Sequence, residues 1–319
     1  MVTEKKRIFA AKKAMTMERN LMRQYRQWMA TAILFVCCVL AHAQAVITYP
    51  DPFLTDETRP DGTLFLPEPP EETDPAFCND FYFYQWGKKQ RETDFGKQAK
   101  LDGPMELFEA FSDAFGMTIH PGLTPEIDRL AGGAGSDAHR ANKRAKNFFQ
   151  RKRPFVQFGE PSLVPETEEE EAKDYSYPSG HATRGYVYAM TLSLIEPDSA
   201  NVLMKRAYNY ALGRVVAGYH YKSDIDASAI LAASVMGALA GNDEFRKQLE
   251  KAKKEYAQLK KEKAKKNEQI SIAYKEYENK LKEKLGTKVN ISLKENGAGK
   301  IEIDFYSNDD FERIIDCIK

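Results

Sequence analysis

The 319-residue sequence carries no net charge, with 47 Lys and Arg against 47 Asp and Glu. That balance removes any global attraction to nucleic acid or to an anionic membrane. Cysteine is scarce: there are four, and Cys37 and Cys38 sit in an N-terminal apolar run. The other two, Cys78 and Cys317, are too few for a disulfide scaffold. Pairing within the chain, pairing between chains and free thiols all stay open. Beyond the N-terminal run there is no apolar segment of bilayer-spanning length, which argues against an integral membrane body. No strand-like alternation occurs before residue 287, so the main body is expected to be all-α. What is present is a hydrophobic content of 42%, enough for a real core. The length suits one large domain with an appendage, or two domains.

The first 27 residues are strongly basic, with Lys5, Lys6, Arg7, Lys12 and Lys13 among them. An apolar run over 28–40 and the small-x-small triplet Ala41-His42-Ala43 follow. This pattern predicts a secretory signal peptide over 1–43, cut after Ala43, with Met15, Met17 or Met22 as alternative starts. An exported chain, periplasmic or secreted, is the expectation, with no stable membrane insertion once the signal is removed. Residues 44–77 are rich in Pro, Asp, Glu and Thr and read as an extended arm.

Helices are expected over 78–100, 104–115, 121–130 and 137–152, with Gly132, Gly133 and Gly135 breaking the last two apart. The acidic run 166–174 reads as a solvated loop. Three further helices are expected over 180–195, 198–218 and 222–240, the last apolar enough to be buried centrally.

The chemistry concentrates in three pieces. Lys146 and Arg153-Pro154 form K-x6-R-P, residues 178–181 read P-S-G-H, and Arg214, His220 and Asp224 form R-x5-H-x3-D. A phosphate monoester repels nucleophiles through its own anionic oxygens. A catalyst must therefore neutralise that charge, present a nucleophile and protonate the leaving oxygen. Lys146, Arg153 and Arg214 can supply positive charge, and arginine's planar fork matches two phosphate oxygens. Ser179 and Gly180 can add a hydroxyl and backbone N–H groups at a helix start, where the helix dipole favours an anion. His220 and Asp224 share a helix face, so the carboxylate can hold one ring nitrogen protonated and free the other to attack phosphorus. His181 can return a proton to the leaving alkoxide. No cofactor or metal is required, because three cations already supply the positive charge.

These motifs resemble the signature of the type-2 phosphatidic acid phosphatase superfamily, which includes the vanadium haloperoxidases. Residues 66–259 are similar to the bacterial class A nonspecific acid phosphatases. The phrases SYPSGHAT (176–183) and GRVVAGYHYKSDIDA (213–227) carry most of the likeness, with FSDAFG (111–116) and RPFVQF (153–158). The resemblance implies an all-helical, vanadium haloperoxidase-like bundle. It also implies a phosphohistidine at His220, His181 as general acid and Asp224 orienting His220. Phosphate contacts would come from Lys146, Arg153, Ser179, Gly180 and Arg214. The implied activity is hydrolysis of phosphomonoesters with broad specificity, inhibited by phosphate or vanadate. An acid optimum is expected, since an unperturbed histidine titrates near roughly 6.5. The family usually has Ser before the arginine; this chain has Gly213, which removes one hydroxyl contact. Halide oxidation with vanadate is the alternative use of the same anion site.

After residue 242 the composition turns to Lys, Glu, Gln and Ala, the pattern of a long exposed helix. Alternation over 287–293 and 300–306, with Asn296-Gly297 between, predicts a β-hairpin, and a last helix follows. Residues 284–318 resemble the C-terminal domain of the partition protein ParB. The resemblance implies a homodimer built on this small α/β unit and a lysine-bearing sheet face for DNA backbone, here Lys288, Lys294 and Lys300. Scattered lysines bind phosphate with little specificity, so dimerisation is the leading expectation. A dimeric DNA-binding chimera with a vestigial phosphatase body is the reading from another class. The expected domains are a catalytic domain over 78–262 and a dimerisation module over 263–319.

Overall fold

The computed structural model describes residues 50–103, 107–293 and 298–318. The basic leader with its apolar run, Pro104, Lys294 and the Asn296-Gly297 turn lie outside them. The main body is helical, as its sequence periodicity predicts. Helices α1 (Phe77–Gln90), α2 (Asp94–Asp102) and α3 (Leu107–Phe115) precede the 25-residue α4 (Pro125–Phe149). Two short helices follow, α5 (Pro154–Phe158) and α6 (Glu168–Glu171). The core helices are then α7 (Gly180–Ile195), α8 (Ala200–Ala217) and α9 (Lys222–Gly241).

Helix α7 packs on α4, α8 and α9, and the seam is closed by Leu130, Val187, Leu192, Leu203, Ile225 and Val235, all fully buried. Each such side chain stabilises the fold by about 1.5–3 kcal/mol relative to exposure. Among the described residues α9 is the one helix long and apolar enough to cross a membrane. The sequence reading had expected no such run here. Its buried positions, including Ile225, Leu231, Val235 and Leu239, are covered by the other core helices. A core helix packed on several faces has the same apolar composition as a span.

The glycine run does not break the chain. Helix α4 continues through Gly132, Gly133 and Gly135, contrary to the two helices expected there. The glycines instead let neighbours come close. A Cβ on Gly132 would lie 2.6 Å from Pro50, one on Gly133 2.5 Å from the Phe53 ring, and one on Gly135 2.8 Å from the Tyr188 ring. The first two contacts seat the arm, whose Phe53, Leu54 and Leu66 are buried in the main core. Buried Asp137 of α4 fixes it further, accepting the N–H of Phe53 at 2.8 Å and of Leu54 at 3.2 Å. From residue 50 onward the proline-rich stretch is thus part of the body.

Helix α10 (Asp243–Leu285) buries Phe245, Gln248 and Ala252 and then runs on without interruption, mostly exposed, to Leu285. It passes continuously through residues 262 and 263. It leads into β1 (Val289–Leu293) and β2 (Gly299–Ile303), an antiparallel pair with Ile291 opposite Ile301, and then α11 (Asn308–Ile318). Leu285, Val289 and Ile314 form a separate small core there. Cys78 is exposed, Cys317 half-buried, and both are free.

Candidate active site

The three motifs meet at one end of the core helices. Lys146 lies in the last turn of α4, Arg153 is the N-cap of α5, Ser179 is the N-cap of α7, and Arg214 lies in the last turn of α8. His220 lies just before α9, and Asp224 is in that helix's first turn. Lys146, Arg153, Arg214, His220 and Asp224 are all buried, at 4% exposure or less. Burying three cations together is costly without anionic partners, so the fold must supply them or the site must receive them.

His220 is held from both sides. Its Nδ1 lies 3.3 Å from Asp224 Oδ2, and its Nε2 lies 3.2 Å from Arg153 Nη1. A guanidinium can only donate, so Nε2 accepts and the ring proton sits on Nδ1, facing the carboxylate. The lone pair of Nε2 therefore points to the cation cluster. Burial, with Arg153, Lys146 and Arg214 nearby, pushes the His220 pKa well below its ordinary value. Burial and the neighbouring cations thus favour the neutral ring.

Asp224 is anchored by groups that sequence reasoning missed. Its Oδ2 accepts the Tyr221 N–H at 2.8 Å, and its Oδ1 accepts from Arg151 Nη1 at 2.7 Å. Arg151 also donates to Asp80 Oδ2 at 2.8 Å and stacks 3.9 Å over the Tyr221 ring. Burial alone would lower the Arg151 pKa, but Asp224 and Asp80 outweigh it and raise it. Asp80, from α1, accepts the Ser223 N–H at 2.8 Å. Arg151 fell outside the K-x6-R-P motif, and Asp80, over 140 positions from Ser223, left no local signal.

Ser179 caps α7, its Oγ accepting the Ala182 N–H at 3.3 Å. Asn142 of α4 pins this turn by donating to the Pro178 carbonyl at 3.1 Å and to Thr183 Oγ1 at 3.1 Å. A Cβ on Gly180 would come 3.3 Å from Asn142 Oδ1, so the glycine permits that approach. His181 Nε2 lies 3.3 Å from the Gly103 carbonyl. Although the residue is only partly buried, desolvation of the ring, then Arg214 and Arg184, push its pKa well below the ordinary value. The ordinary pKa assumed from sequence therefore does not hold for the free protein. The position before Arg214 is also resolved: a Cβ on Gly213 would lie 3.3 Å from the Ala99 Cβ of α2. A serine there would face α2.

The acidic run, largely exposed as expected, turns two of its carboxylates inward to the site. Glu171 Oε2 pairs with Arg153 Nη2 at 2.7 Å, and its Oε1 lies 3.9 Å from Arg214 Nη2. Asp174 Oδ2 pairs with Lys146 Nζ at 2.7 Å and stands 3.8 Å from Arg153 Nη2. Burial works against the Asp174 charge, but Lys146 and Arg153 prevail and hold its carboxyl below the usual range. Burial, assisted by Arg153, lowers the Lys146 pKa to about 8. Arg214 stays under-satisfied: its Nε has no hydrogen-bond partner among the described residues. At Glu171 and Asp174 proximity of opposite charge outweighs the pull of solvent, while Glu169 and Glu170 stay exposed. Among the described residues no three His, Cys, Asp or Glu side chains converge to hold a metal ion.

Residues 132–244 match the PAP2 superfamily, and residues 271–319 match the ParB dimerisation domain. The chain is 38% identical over 221 residues to a non-specific acid phosphatase of Providencia stuartii, covering 68% of this chain and 89% of that protein. It is 32% identical to one from Salmonella typhi, covering 70% and 90%. To one from Salmonella typhimurium it is 33% identical, covering 64% and 83%.

Proposed function

Because the chain belongs to the PAP2 superfamily and is a phosphomonoester hydrolase like its acid phosphatase relatives, we propose that it acts through a phosphohistidine at His220. The observation that carries this reading is the His220 ring itself, held between Asp224 and Arg153 with Nε2 toward the cations. In this mechanism Lys146, Arg153, Arg214 and the α7 start at Ser179 and Gly180 grip the phosphoryl oxygens. Arg153 Nη1 turns from Nε2 to a phosphoryl oxygen, and the freed Nε2 lone pair attacks phosphorus while the bond to the leaving oxygen breaks. His181 gives its proton to that oxygen. Neutral His181 then takes a proton from water, the water oxygen attacks phosphorus, and the P–N bond breaks to release phosphate and free His220.

His181 must be protonated in the first step, although burial, and after it Arg214 and Arg184, oppose this in the free protein. A bound phosphate dianion offsets the cations' share by bringing negative charge beside Arg214 and so favours the protonated ring. The substrate thus recruits its own general acid, and activity belongs on the acid side of neutrality. We also assign the protein broad phosphomonoester specificity, independence of metals and export through the 1–43 signal. The catalytic domain is assigned to 78–262 and the dimerisation module to 263–319.

The test is hydrolysis of p-nitrophenyl phosphate at about pH 5–6 in EDTA, with and without vanadate, beside His220→Ala. Activity that survives EDTA, is blocked by vanadate and disappears in the variant is the expected result. Full activity in the folded variant would remove His220 from the mechanism.

The C-terminal module supports a homodimer. A hollow of about 530 Å3 between α10 and the hairpin is lined by Tyr274, Tyr277, Leu281, Ile291, Leu293 and Ile301. Its own core of Leu285, Val289 and Ile314 is small, and isolated hairpins need more burial than this. Sedimentation of the whole chain should give a dimer that Ile301→Asp disperses; a monomeric parent chain would remove the assignment. Lys288 and Lys300 stand beside Asp304 and Glu302, which offsets their charge toward DNA.

A further inference from the structure

The carboxylate of Glu171 spans Arg153 and Arg214 with one oxygen toward each. A carboxylate paired with Arg153 at 2.7 Å and 3.9 Å from Arg214 stands where a phosphoryl group would meet the same two guanidinia. Asp174 takes up Lys146 and the flank of Arg153 in the same way. Both carboxylates come from one short segment, α6 and the turn after it, and Glu171 and Asp174 keep 27% and 38% of their side-chain surface exposed. The segment's backbone is held by the Ser162 N–H to Glu168, by Thr167 to Tyr219, and by Arg153 Nε donating to the Glu171 and Asp174 carbonyls at 2.8 and 3.2 Å, none of which uses the Glu171 carboxylate. Glu171 can therefore leave the cations without unfolding what surrounds it.

We propose that Glu171 is a built-in competitor that occupies the phosphate position in the free enzyme and sets its affinity for substrate and product alike. This rests on the phosphomonoesterase reading of the same site. A buried cluster of Lys146, Arg153 and Arg214 without an anion would repel itself, and Glu171 supplies the anion until substrate arrives. Substrate phosphate displaces it and thereby also fills the place beside the unpartnered Nε of Arg214. After turnover the carboxylate returns and expels inorganic phosphate. Affinity is given up equally for substrate and product, so the ratio of Ki to KM is unchanged and the gain is faster release of phosphate. Exposed Glu169 carries the same charge in the same helix with none of these contacts.

The experiment compares the parent chain with Glu171→Gln and Glu169→Gln. Three quantities are read: KM for p-nitrophenyl phosphate, Ki for inorganic phosphate, and the Kd of phosphate by calorimetry without turnover. Glu171→Gln should lower all three by a common factor of about ten, the factor that 1.4 kcal/mol represents. Glu169→Gln should leave them near the parent values. The melting temperature of Glu171→Gln should also rise more on adding phosphate than that of the parent, because tighter binding stabilises the folded state more. An unchanged or raised phosphate Kd in Glu171→Gln, with the parent active, overturns the proposal and leaves the phosphatase reading standing. Equal gains in both variants also overturn it, since that is a general charge effect. Failure of every chain to bind phosphate removes the anion site and this proposal together.

Discussion

Replacing Arg151 by Met removes a cation that two buried carboxylates share. Asp80 and Asp224 are both fully buried, and Arg151 bonds each at 2.8 and 2.7 Å. Methionine fills much of the volume and can keep the contact with the Tyr221 ring, so the loss is mainly electrostatic. Removing one partner of a buried ion pair costs about 3–5 kcal/mol. The lower figure applies here, because Asp224 keeps the Tyr221 N–H and Asp80 keeps the Ser223 N–H. For a domain of this size about 3 kcal/mol lowers the melting temperature by about 6–12 °C. Asp224 also loses the bond that fixes its Oδ1, so the His220 ring loses its reference. A reacting group displaced by about 1 Å can cost a hundredfold in rate, and that is the ceiling expected for kcat. Circular-dichroism melting and p-nitrophenyl phosphate turnover read the two effects. Adding Asp80→Asn should recover part of the melting temperature, since one orphaned carboxylate is then neutralised, while kcat stays low. A melting temperature within about 2 °C of the parent with kcat retained would refute the argument that Arg151 holds Asp224.

Lys146 titrates near pH 8 in the free protein, its burial beside Arg153 prevailing over Asp174. Above that pH it is neutral and one of the cations is gone, so phosphate affinity should fall as pH rises through about 8. In Lys146→Arg, whose guanidinium does not deprotonate in this range, the fall should be absent; an identical profile would exclude Lys146 as its source. Gly213→Ser should not raise kcat, because its Cβ would press on Ala99 at 3.3 Å. A small loss of melting temperature is expected instead, and a severalfold gain in kcat would mean that the hydroxyl does reach the phosphate.

The ordering of helices and hairpin was legible because amphipathic period and turn residues are local properties, read within a few turns of chain. The long α10, the presence of the hairpin and the last helix followed from composition and alternation in that way. The glycine run of α4 misled for the same reason: Gly132 and Gly133 lower local helix propensity. The packing of Pro50 and Phe53 into the groove they leave is a contact over some 80 positions and overrode it. The reading of α9 as buried was sound, although its composition alone equally fits a membrane span.

The sequence by itself determined the reaction class. Lys146, Arg153, Arg214, His181, His220 and Asp224 each carry a chemistry that side-chain type dictates, and their spacing marks them as one set. Only the tertiary structure decided their protonation and their partners. The lowered pKa values of His181 and His220 come from burial among cations brought from four different helices and loops. The anchoring of Asp224 by Arg151 and Asp80 joins segments far apart in the chain. The acidic run shows the division most clearly. Its charge was visible, but a carboxylate's preference for water or for a guanidinium depends on what lies within about 4 Å, and folding alone brought Glu171 to Arg153.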